Sequence, residues 1–372
     1  MEPAIKQYDD EPPMPASERS AWPYRRALTV ASLCMLTVTM LISGTANAAE
    51  KAPRVNTLRA PEGGIQPQAA VGREGTLHLI YFLGDPRHGN LFYVTLAVNG
   101  DDFSKPLPVN RRPDSAVAIG NVRGAHLALG RDDRVHVAWM GSDKAAPKAP
   151  EDASPMLYTR LNDQGTEFEP ERNVIQRHVG LDGGGSLAAD EQGNVYVAWH
   201  APEAGRTGEA NRQVWVARSE DEGRTFAPEQ PATQGGGCCA CCGMRAFADR
   251  DGRLYLLYRS ASETVHRDMF LLVSQQEDAG FASSRIAPWE VPACVMSTAA
   301  LSPAPFGVLA GWETEGQAYF GVVDVNSGKL SRSIAAPGDA KDRKHPAVAA
   351  NQRGEVILAW TEGMGWNRGG AV

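Results

Sequence analysis

The feature that most constrains the fold of this chain is a pattern that occurs six times along it. Each copy is a short strand of small apolar residues, a polar turn, and a second apolar strand that closes on an aromatic residue. The closing residues follow one another at intervals of about 50 to 60 residues; they are Tyr81, Trp139, Trp199, Tyr258, Trp312 and Trp360. Such a period indicates a fold assembled from repeated structural units rather than from unrelated domains.

Strand-forming segments also follow the aromatic residues, for example residues 91–95, 213–217 and 269–273. They predict a third strand in each unit, and the turn after it leads into a fourth. Four short antiparallel strands repeated radially form a β-propeller, which leaves few exposed edges. The sequence therefore predicts an all-β, six-bladed β-propeller of four-stranded antiparallel blades over residues 52–372. The last copy ends soon after its second strand, so we expect residues 54–58 to close the final blade of a chain that is short at its C-terminus.

The turn after the third strand of the third copy carries the most specific motif. It contains Ser219, Asp221, Gly223, Thr225 and Phe226 in the order S-x-D-x-G-x-T-F. In such a turn the aspartate accepts hydrogen bonds from backbone N–H groups, the glycine adopts a left-handed backbone conformation, and the aromatic ring packs into the interior of the blade. The segment resembles the Asp-box of the sialidase-like (neuraminidase, BNR/Asp-box repeat) β-propeller family. The resemblance implies the fold, because this box is structural in the family and not catalytic.

The resemblance also implies a possible enzymatic activity, the hydrolysis of glycosides. Enzymes of that family hold a substrate carboxylate with an arginine cluster, and use a tyrosine nucleophile activated by a glutamate together with an aspartic acid. This chain lacks the family's Arg-Ile-Pro segment in its first copy. Tyr319 with Glu313 or Glu315 is the candidate nucleophile pair, and Asp182 is a candidate acid or a simple turn residue. An exo-sialidase-like glycoside hydrolase is therefore an alternative function.

Residues 1–48 have the organisation of a signal peptide with a long polar n-region. Arg25 and Arg26 precede an apolar run, and Ala46 and Ala48 form a small-x-small cleavage site. The arginine pair leaves both the general and the twin-arginine export routes open, and an uncleaved segment would be the chain's only link to a membrane. We expect a periplasmic or secreted protein. A formal net charge of −7 argues against a nucleic-acid partner, which requires a basic face.

Alignment of the six copies indicates which side chains lie near the central channel. The innermost strand of each blade lines the axis, and the loops entering those strands ring a mouth where ligands bind. Five basic side chains are placed at or below this mouth: Arg123, His126, Arg245, Arg267 and His345. They are the candidate ligand-binding residues. Arginines at blade ends also form surface ion pairs, and a single histidine is often only a packed side chain, so both interpretations stay open.

The cysteines form the most unusual cluster. Cys238, Cys239, Cys241 and Cys242 follow three glycines just before the inner strand of the fourth copy, and Cys294 enters the fifth copy at the equivalent point. We therefore expect the Cys294 sulfur within about 10 Å of at least one of the other four, near the range that a disulfide requires. Three interpretations remain: a disulfide staple such as Cys242–Cys294, a soft-metal site for copper or zinc, and a redox-active thiol pair.

Together these features predict an exported sialidase-like propeller that acts as a ligand-binding module. The cysteine-rich site lies at the channel mouth, and the ligand is a small molecule, a glycan or a metal ion. The second alternative, after the glycoside hydrolase, is a structural or interaction propeller whose loops are stapled by disulfides. The state of the thiols distinguishes these classes, because metal binding and redox exchange require free thiols whereas stapling requires paired ones.

Overall fold

The structure is a computed structural model in which residues 57–120, 123–263, 265–275, 280–339 and 342–363 are described. These residues belong to one compact unit, Thr57–Val372, and contain β-strands and four single turns of 3-10 helix. The predicted signal peptide lies outside the described residues. Within them, no helix has the length and apolar character needed to cross a membrane. The prediction of an all-β chain is confirmed.

Five sheets have four strands each, and neighbouring strands within every sheet are antiparallel. The first sheet contains β1 (Ile65–Val71), β2 (Leu77–Asp85), β3 (His88–Leu96) and β4 (Leu107–Pro108). The second contains β5 (His126–Leu129), β6 (Val135–Met140), β7 (Met156–Arg160) and β8 (Arg172–Asn173). The third contains β9 (Gly185–Ala189), β10 (Val195–Pro202), β11 (Arg212–Ser219) and β12 (Gln230–Pro231).

The remaining sheets continue the same order along the chain. The fourth contains β13 (Arg245–Ala248), β14 (Leu254–Arg259), β15 (Met269–Ser274) and β16 (Phe281–Ala287). The fifth contains β17 (Ala299–Ala304), β18 (Gly307–Thr314), β19 (Gln317–Val323) and β20 (Ile334–Ala335). A last sheet has two strands, β21 (Lys344–Ala350) and β22 (Val356–Thr361). The 3-10 turns are Pro61–Gly63, Arg131–Asp133, Pro150–Asp152 and Glu209–Asn211.

The prediction of six four-stranded blades was wrong in its count. The described residues form five such blades, and the sixth copy of the repeat forms the two-stranded sheet alone. Of the segment expected to close the ring, residues 54–56 lie outside the description, and Thr57 and Leu58 are not in a strand. The described part of the last copy supplies only the strands β21 and β22, whereas a four-stranded blade requires two more. In the two-stranded sheet, Ile357 of β22 is 73% exposed.

The apolar core lies between neighbouring blades. The second strand of each blade is a run of apolar residues, and its closing aromatic residue packs into that core; Trp139 and Trp199 are fully buried and Trp312 is 1% exposed. A strand covered on both faces needs such a continuous apolar run instead of alternation. The innermost strands β1, β5, β9, β13, β17 and β21 contact one another in chain order, which brings distant parts of the chain to the axis.

The turn after β11 shows how local polar chemistry fixes the end of a blade. Asp221 accepts hydrogen bonds from the backbone N–H and the hydroxyl of Thr225 at 2.8 and 2.7 Å, and Ser219 donates its hydroxyl to Asp221 at 2.7 Å. Gly223 has a φ of 79°, and a Cβ there would overlap the Tyr158 hydroxyl. Phe226 packs edge-on against the Tyr158 ring, 4.9 Å between centroids.

Candidate functional site

The cysteine loop, residues 235–243, connects β12 to β13 and lies where three blades meet. Gly235 and Gly237 have φ values of 88° and 105°, which glycine adopts at little cost. The loop is anchored by backbone hydrogen bonds from Cys239 to the Arg259 carbonyl in the fourth blade and from Gly243 to the Ser297 carbonyl before the fifth, both 2.9 Å long. The glycine run is therefore what allows the chain to present its cysteines there.

One disulfide crosses from this loop to the next blade. Cys241 is bonded to Cys294, with a Cα–Cα distance of 6.8 Å. The expected proximity of Cys294 to the loop is thus present, but its bonded partner is Cys241 and not Cys242. The difference arises because Cys242 is fixed by the backbone next to Ser297 and directs its sulfur inward, whereas Cys241 is only half-buried and Cys294 is exposed.

Two free thiols lie directly beside this disulfide. Cys239 and Cys242 are each 2% exposed, and the Cys239 thiol donates to the Cys242 sulfur at an Sγ–Sγ distance of 3.0 Å. The Cys239 sulfur is also 3.5 Å from that of Cys241. All three sulfurs lie within 4.8 Å of one another. The loop therefore assembles a dithiol with the C-x-x-C spacing and a disulfide in contact with it.

Cys238 is the third free thiol, and it has a different environment. It is 2% exposed and packs in another apolar cluster, with Val214, Met244 and Leu256. Burial raises its pKa to about 12, so the Cys238 thiol stays protonated at neutral pH. The structure thus separates Cys238 from the other four cysteines that the sequence analysis had grouped with it.

The electrostatic surroundings distinguish the two members of the dithiol. Burial opposes ionisation of Cys242, but the Cys239 thiol, the Arg259 guanidinium and the Ser297 hydroxyl outweigh it and hold the pKa of Cys242 below its usual value. The hydrogen bond to Cys242, together with burial, raises the pKa of Cys239. One sulfur therefore carries the negative charge while the other donates to it, which is an arrangement suited to a nucleophile or a metal ligand.

Arg259, at the end of β14, supplies the positive charge for this site. It is 1% exposed and donates to the Ser297 hydroxyl at 2.6 Å and to the backbone carbonyls of Arg267 and Glu313. Its guanidinium lies 5.1 Å from the Trp289 ring centroid. Within the described part of the chain, no carboxylate is within salt-bridge distance of Arg259. Of the anionic groups that stabilise its charge, the Cys242 thiolate acts most strongly and Glu313 follows.

A second polar site lies at the axis. A cavity of about 120 Å³, here called the axial cavity, is lined by Gln66, Gln68, His126, Arg245 and Thr298, with small and apolar residues between them. Arg245 donates to Gln68 at 2.6 Å, across the axis from the first blade, and to Nδ1 of His126 at 3.1 Å. The inner-strand topology thus brings two predicted ligand-binding residues, His126 and Arg245, into one wall.

Among the described residues, the cation of the axial cavity forms its side-chain hydrogen bonds with neutral groups only. Burial lowers the pKa of Arg245 to about 10, so its guanidinium is still charged at neutral pH. Burial, and then the charge of Arg245, lower the pKa of His126 to about 3, so this imidazole is neutral and accepts through Nδ1. A wall of this kind presents a positive group and neutral hydrogen-bonding partners to an anion.

The other predicted ligand-binding residues have partners of their own. Arg123 forms a salt bridge with Asp182, and Arg267 forms one with Glu209 at 3.0 Å. Nδ1 of His345 lies 3.1 Å from the hydroxyl of Thr298, behind the cavity wall. These three residues do not join Arg245 in the lining of the axial cavity.

The proposed hydrolytic pair is likewise engaged in packing. The Tyr319 ring stacks on Trp312 with 5.9 Å between centroids. Glu313 is 2% exposed and accepts hydrogen bonds from Lys344 at 3.1 Å and from the His345 backbone at 3.0 Å. Both residues therefore support the fifth blade, and Asp182 pairs with Arg123.

Sequence reasoning missed Arg259, Gln68 and Glu209. The sequence could have pointed to Arg259, because it is a lone charge that directly follows the apolar second strand of the fourth copy. Such a charge is buried only where the fold provides partners. No comparable signal in the sequence marks Gln68 or Glu209. Glu209 accepts a hydrogen bond from the Ala240 backbone at 3.0 Å, and that contact depends on how a loop of the third blade folds over the cysteine loop.

Comparison with known proteins gives structural matches alone. No family model and no curated protein matches the chain. Among solved structures, a protein of unknown function from Dyadobacter fermentans has a TM-score of 0.56 at 13% identity, covering 82% of this chain and 91% of that one. The NanB sialidase from Streptococcus pneumoniae has a TM-score of 0.53 at 9% identity, with 80% and 64% covered. A Trypanosoma rangeli sialidase in complex with sialic acid has a TM-score of 0.52 at 10% identity, with 81% and 52% covered.

At such low identity these matches establish a fold and leave the activity open. The chain has a sialidase-like β-propeller fold, and it spans only about half to two thirds of the two sialidases. The resemblance first suggested by the turn at Asp221 therefore extends to the architecture.

Proposed function

We propose that this chain is an exported propeller that binds a soft metal ion, Cu(I) or Zn(II), through its cysteine loop. The observation that carries the proposal is the meeting of the Cys239, Cys241 and Cys242 sulfurs within 4.8 Å of one another. Thiolates select Cu(I) and Zn over harder cations. Cys239 and Cys242 are the two ligands available while Cys241 is bonded to Cys294, and reduction of that disulfide would add two more.

The geometry of the dithiol requires only a small adjustment to hold an ion. Sulfurs at about 2.3 Å from a tetrahedral zinc lie about 3.8 Å apart, whereas the Cys239 and Cys242 sulfurs are 3.0 Å apart. A rotamer shift of about 0.8 Å is therefore sufficient. The buried guanidinium of Arg259 favours the thiolate form of Cys242 and would balance the negative charge of a bis-thiolate complex.

Export is part of the same proposal and is supported by residues 1–48 together with the disulfide. Disulfides persist in oxidising compartments such as the periplasm and the extracellular space. The Cys241–Cys294 bridge is therefore compatible with a periplasmic or secreted protein.

Metal titration against a competing chelator tests the proposal. Reduced, metal-free protein should bind one equivalent of Cu(I) or Zn(II). Cys239→Ser and Cys242→Ser should each weaken binding by at least about 100-fold, because loss of even a supporting residue around a metal costs 10- to 100-fold. Cys238→Ser is the matched control, since that thiol belongs to another apolar cluster, and it should bind as the wild type does. Equal affinity in all four proteins would refute the proposal.

A second candidate function is the binding of a carboxylated sugar in the axial cavity. It is favoured by Arg245, a half-buried cation that donates to the neutral side chains of Gln68 and His126. One of the structural neighbours is a sialidase described in complex with sialic acid, which supports this ligand class. Binding of sialic acid that depends on Arg245 tests this candidate, and a fluorogenic sialoside tests hydrolysis.

A further inference from the structure

The cysteine loop contains a disulfide at the surface and a dithiol beneath it. Cys294 is exposed and Cys241 is half-buried, whereas Cys239 and Cys242 are 2% exposed. The Cys239 sulfur contacts both systems, at 3.5 Å from the Cys241 sulfur and 3.0 Å from the Cys242 sulfur. A single side chain thus connects the protected thiols to the exposed bridge.

Thiol–disulfide exchange requires a thiol sulfur in contact with one sulfur of a disulfide and a leaving sulfur that can depart. Cys239 supplies the thiol sulfur, Cys241 is the disulfide sulfur that it contacts, and the exposed Cys294 carries the leaving sulfur. We propose that the cysteine loop is a thiol–disulfide exchange site, in which electrons pass from the Cys239/Cys242 pair to the Cys241–Cys294 bridge and from there to low-molecular-weight disulfides in solution.

The internal transfer proceeds in two steps. In the first, Cys239 passes its proton to the Cys242 sulfur, to which it already donates a hydrogen bond, and attacks the Cys241 sulfur; the Cys241–Cys294 bond breaks, and Cys294 leaves with the electron pair and takes up a proton from solvent at the surface. In the second, Cys242 gives up that proton and attacks the Cys239 sulfur; the Cys239–Cys241 bond breaks and Cys241 takes up the proton. The products are a Cys239–Cys242 disulfide and two thiols, and no outside oxidant is consumed.

The external transfer uses the exposed member of the new dithiol. Cys294 attacks a disulfide in solution, forms a mixed disulfide and releases one thiol; Cys241 then displaces the second thiol and restores the Cys241–Cys294 bond. In the whole sequence one solution disulfide is reduced to two thiols, and the Cys239/Cys242 pair is oxidised to a disulfide. Burial of that pair excludes direct attack by solution compounds, so Cys294 is the point of entry.

This inference goes beyond metal binding and does not depend on it. Metal binding requires that Cys239 and Cys242 hold an ion, whereas exchange requires the contact between Cys239 and Cys241 at 3.5 Å. The exchange proposal can be tested separately from the metal proposal, because its experiment uses metal-free protein and measures which cysteines are disulfide-bonded, not a metal affinity.

Kinetic trapping of Cys294 tests the exchange. Native, metal-free protein is incubated with N-ethylmaleimide and no reductant, so that the alkylating reagent captures Cys294 whenever the internal exchange releases it. Trypsin then leaves the four loop cysteines on residues 225–245 and Cys294 on residues 286–329. The two peptides stay cross-linked if no exchange has occurred, and they separate with alkylated Cys294 if it has.

The variants isolate the first step. Wild-type protein and Cys242→Ser, which retains Cys239, should label Cys294 at least about tenfold faster than Cys239→Ser, which lacks the attacking sulfur. Cys238→Ser is the control and should label as the wild type does. In a second measurement, oxidised glutathione should form a mixed disulfide at Cys294 in wild type but not in Cys239→Ser. The inference is overturned if Cys294 of the wild type remains cross-linked as completely as in Cys239→Ser, a result that leaves the metal proposal untouched.

Discussion

Arg259 and Arg245 are two arginines of the same blade, the first buried and the second half-buried, and they are used in different ways. Arg245 begins the inner strand β13 and Arg259 ends the neighbouring strand β14. Within the described residues, neither has a carboxylate at salt-bridge distance. An unbalanced buried charge is costly, so both must be compensated by hydrogen bonds or by an anion that binds.

The difference lies in what surrounds each group. Arg259 is enclosed by two backbone carbonyls, the Ser297 hydroxyl and the Trp289 ring, and the anionic group that acts on it most strongly is the Cys242 thiolate. Arg245 contacts two side chains and faces an open cavity. Arg259 is therefore part of the scaffold and adjusts the chemistry of a soft donor, whereas Arg245 is directed at space that a hard anion can fill.

Removal of each guanidinium gives the largest contrast. Arg259→Met should reduce the free energy of unfolding by about 3 kcal/mol, because it leaves buried acceptors without donors at about 1–3 kcal/mol each. Arg245→Met should cost about 1 kcal/mol or less, because water can enter the cavity and bond to Gln68 and His126. Urea denaturation of the two variants at pH 7 measures both values.

Equal losses in the two variants would remove the distinction between a scaffold arginine and a cavity arginine. A loss at Arg245→Met larger than that at Arg259→Met would reverse it. Near-ultraviolet circular dichroism of each variant before denaturation confirms that the comparison is made between folded proteins.

The protonation state of His126 in the axial cavity makes the stability of the protein depend on pH. Folding lowers the pKa of His126 to about 3 from an ordinary value of 6.5. The unfolded chain therefore binds a proton that the folded chain does not, and stability falls as the pH drops below 6.5. From pH 7 to pH 5, His126→Gln should lose about 2 kcal/mol less stability than the wild type. Parallel losses in the two proteins would mean that His126 is protonated in the folded state.

The fold was predictable because its signal is repeated. Trp139, Trp199 and Trp312 each close a second strand and pack in a core cluster, so weak local patterns that recur along the chain support one another. The number of blades was not predictable from those patterns, since two strands of the last copy satisfy the pattern without forming a four-stranded blade. That outcome depends on strand partners that lie outside the repeat.

The site was predictable only in part, because topology and local side-chain direction carry different information. The alignment of inner strands placed Cys294 beside the cysteine loop, and it placed His126 and Arg245 in the channel, where the structure brings them into contact. It did not show that Cys241 pairs with Cys294, or that Cys238 packs elsewhere, since neighbours in a loop differ by the rotation of single residues. It also placed Arg267 at the mouth, where Glu209 from another blade binds it instead.

Stabilisation by a bound anion should distinguish Arg245 from Arg259, and it is a smaller effect than the two above. If the axial cavity binds hard anions, sulfate at ten times its dissociation constant should stabilise the wild type by about 1.4 kcal/mol through binding. Sulfate also stabilises proteins in general by exclusion from their surfaces, so the quantity that matters is the difference between variants. Arg245→Met should lose this specific increment, whereas Arg259→Met should retain it despite its lower stability.

Denaturation curves with sodium sulfate and with sodium chloride at matched ionic strength measure the increment. The same measurement with sialic acid in place of sulfate tests whether a sugar carboxylate occupies the same cavity. An equal sulfate increment in all three proteins would show that Arg245 does not bind an anion, and the contrast between the two arginines would then be one of packing alone.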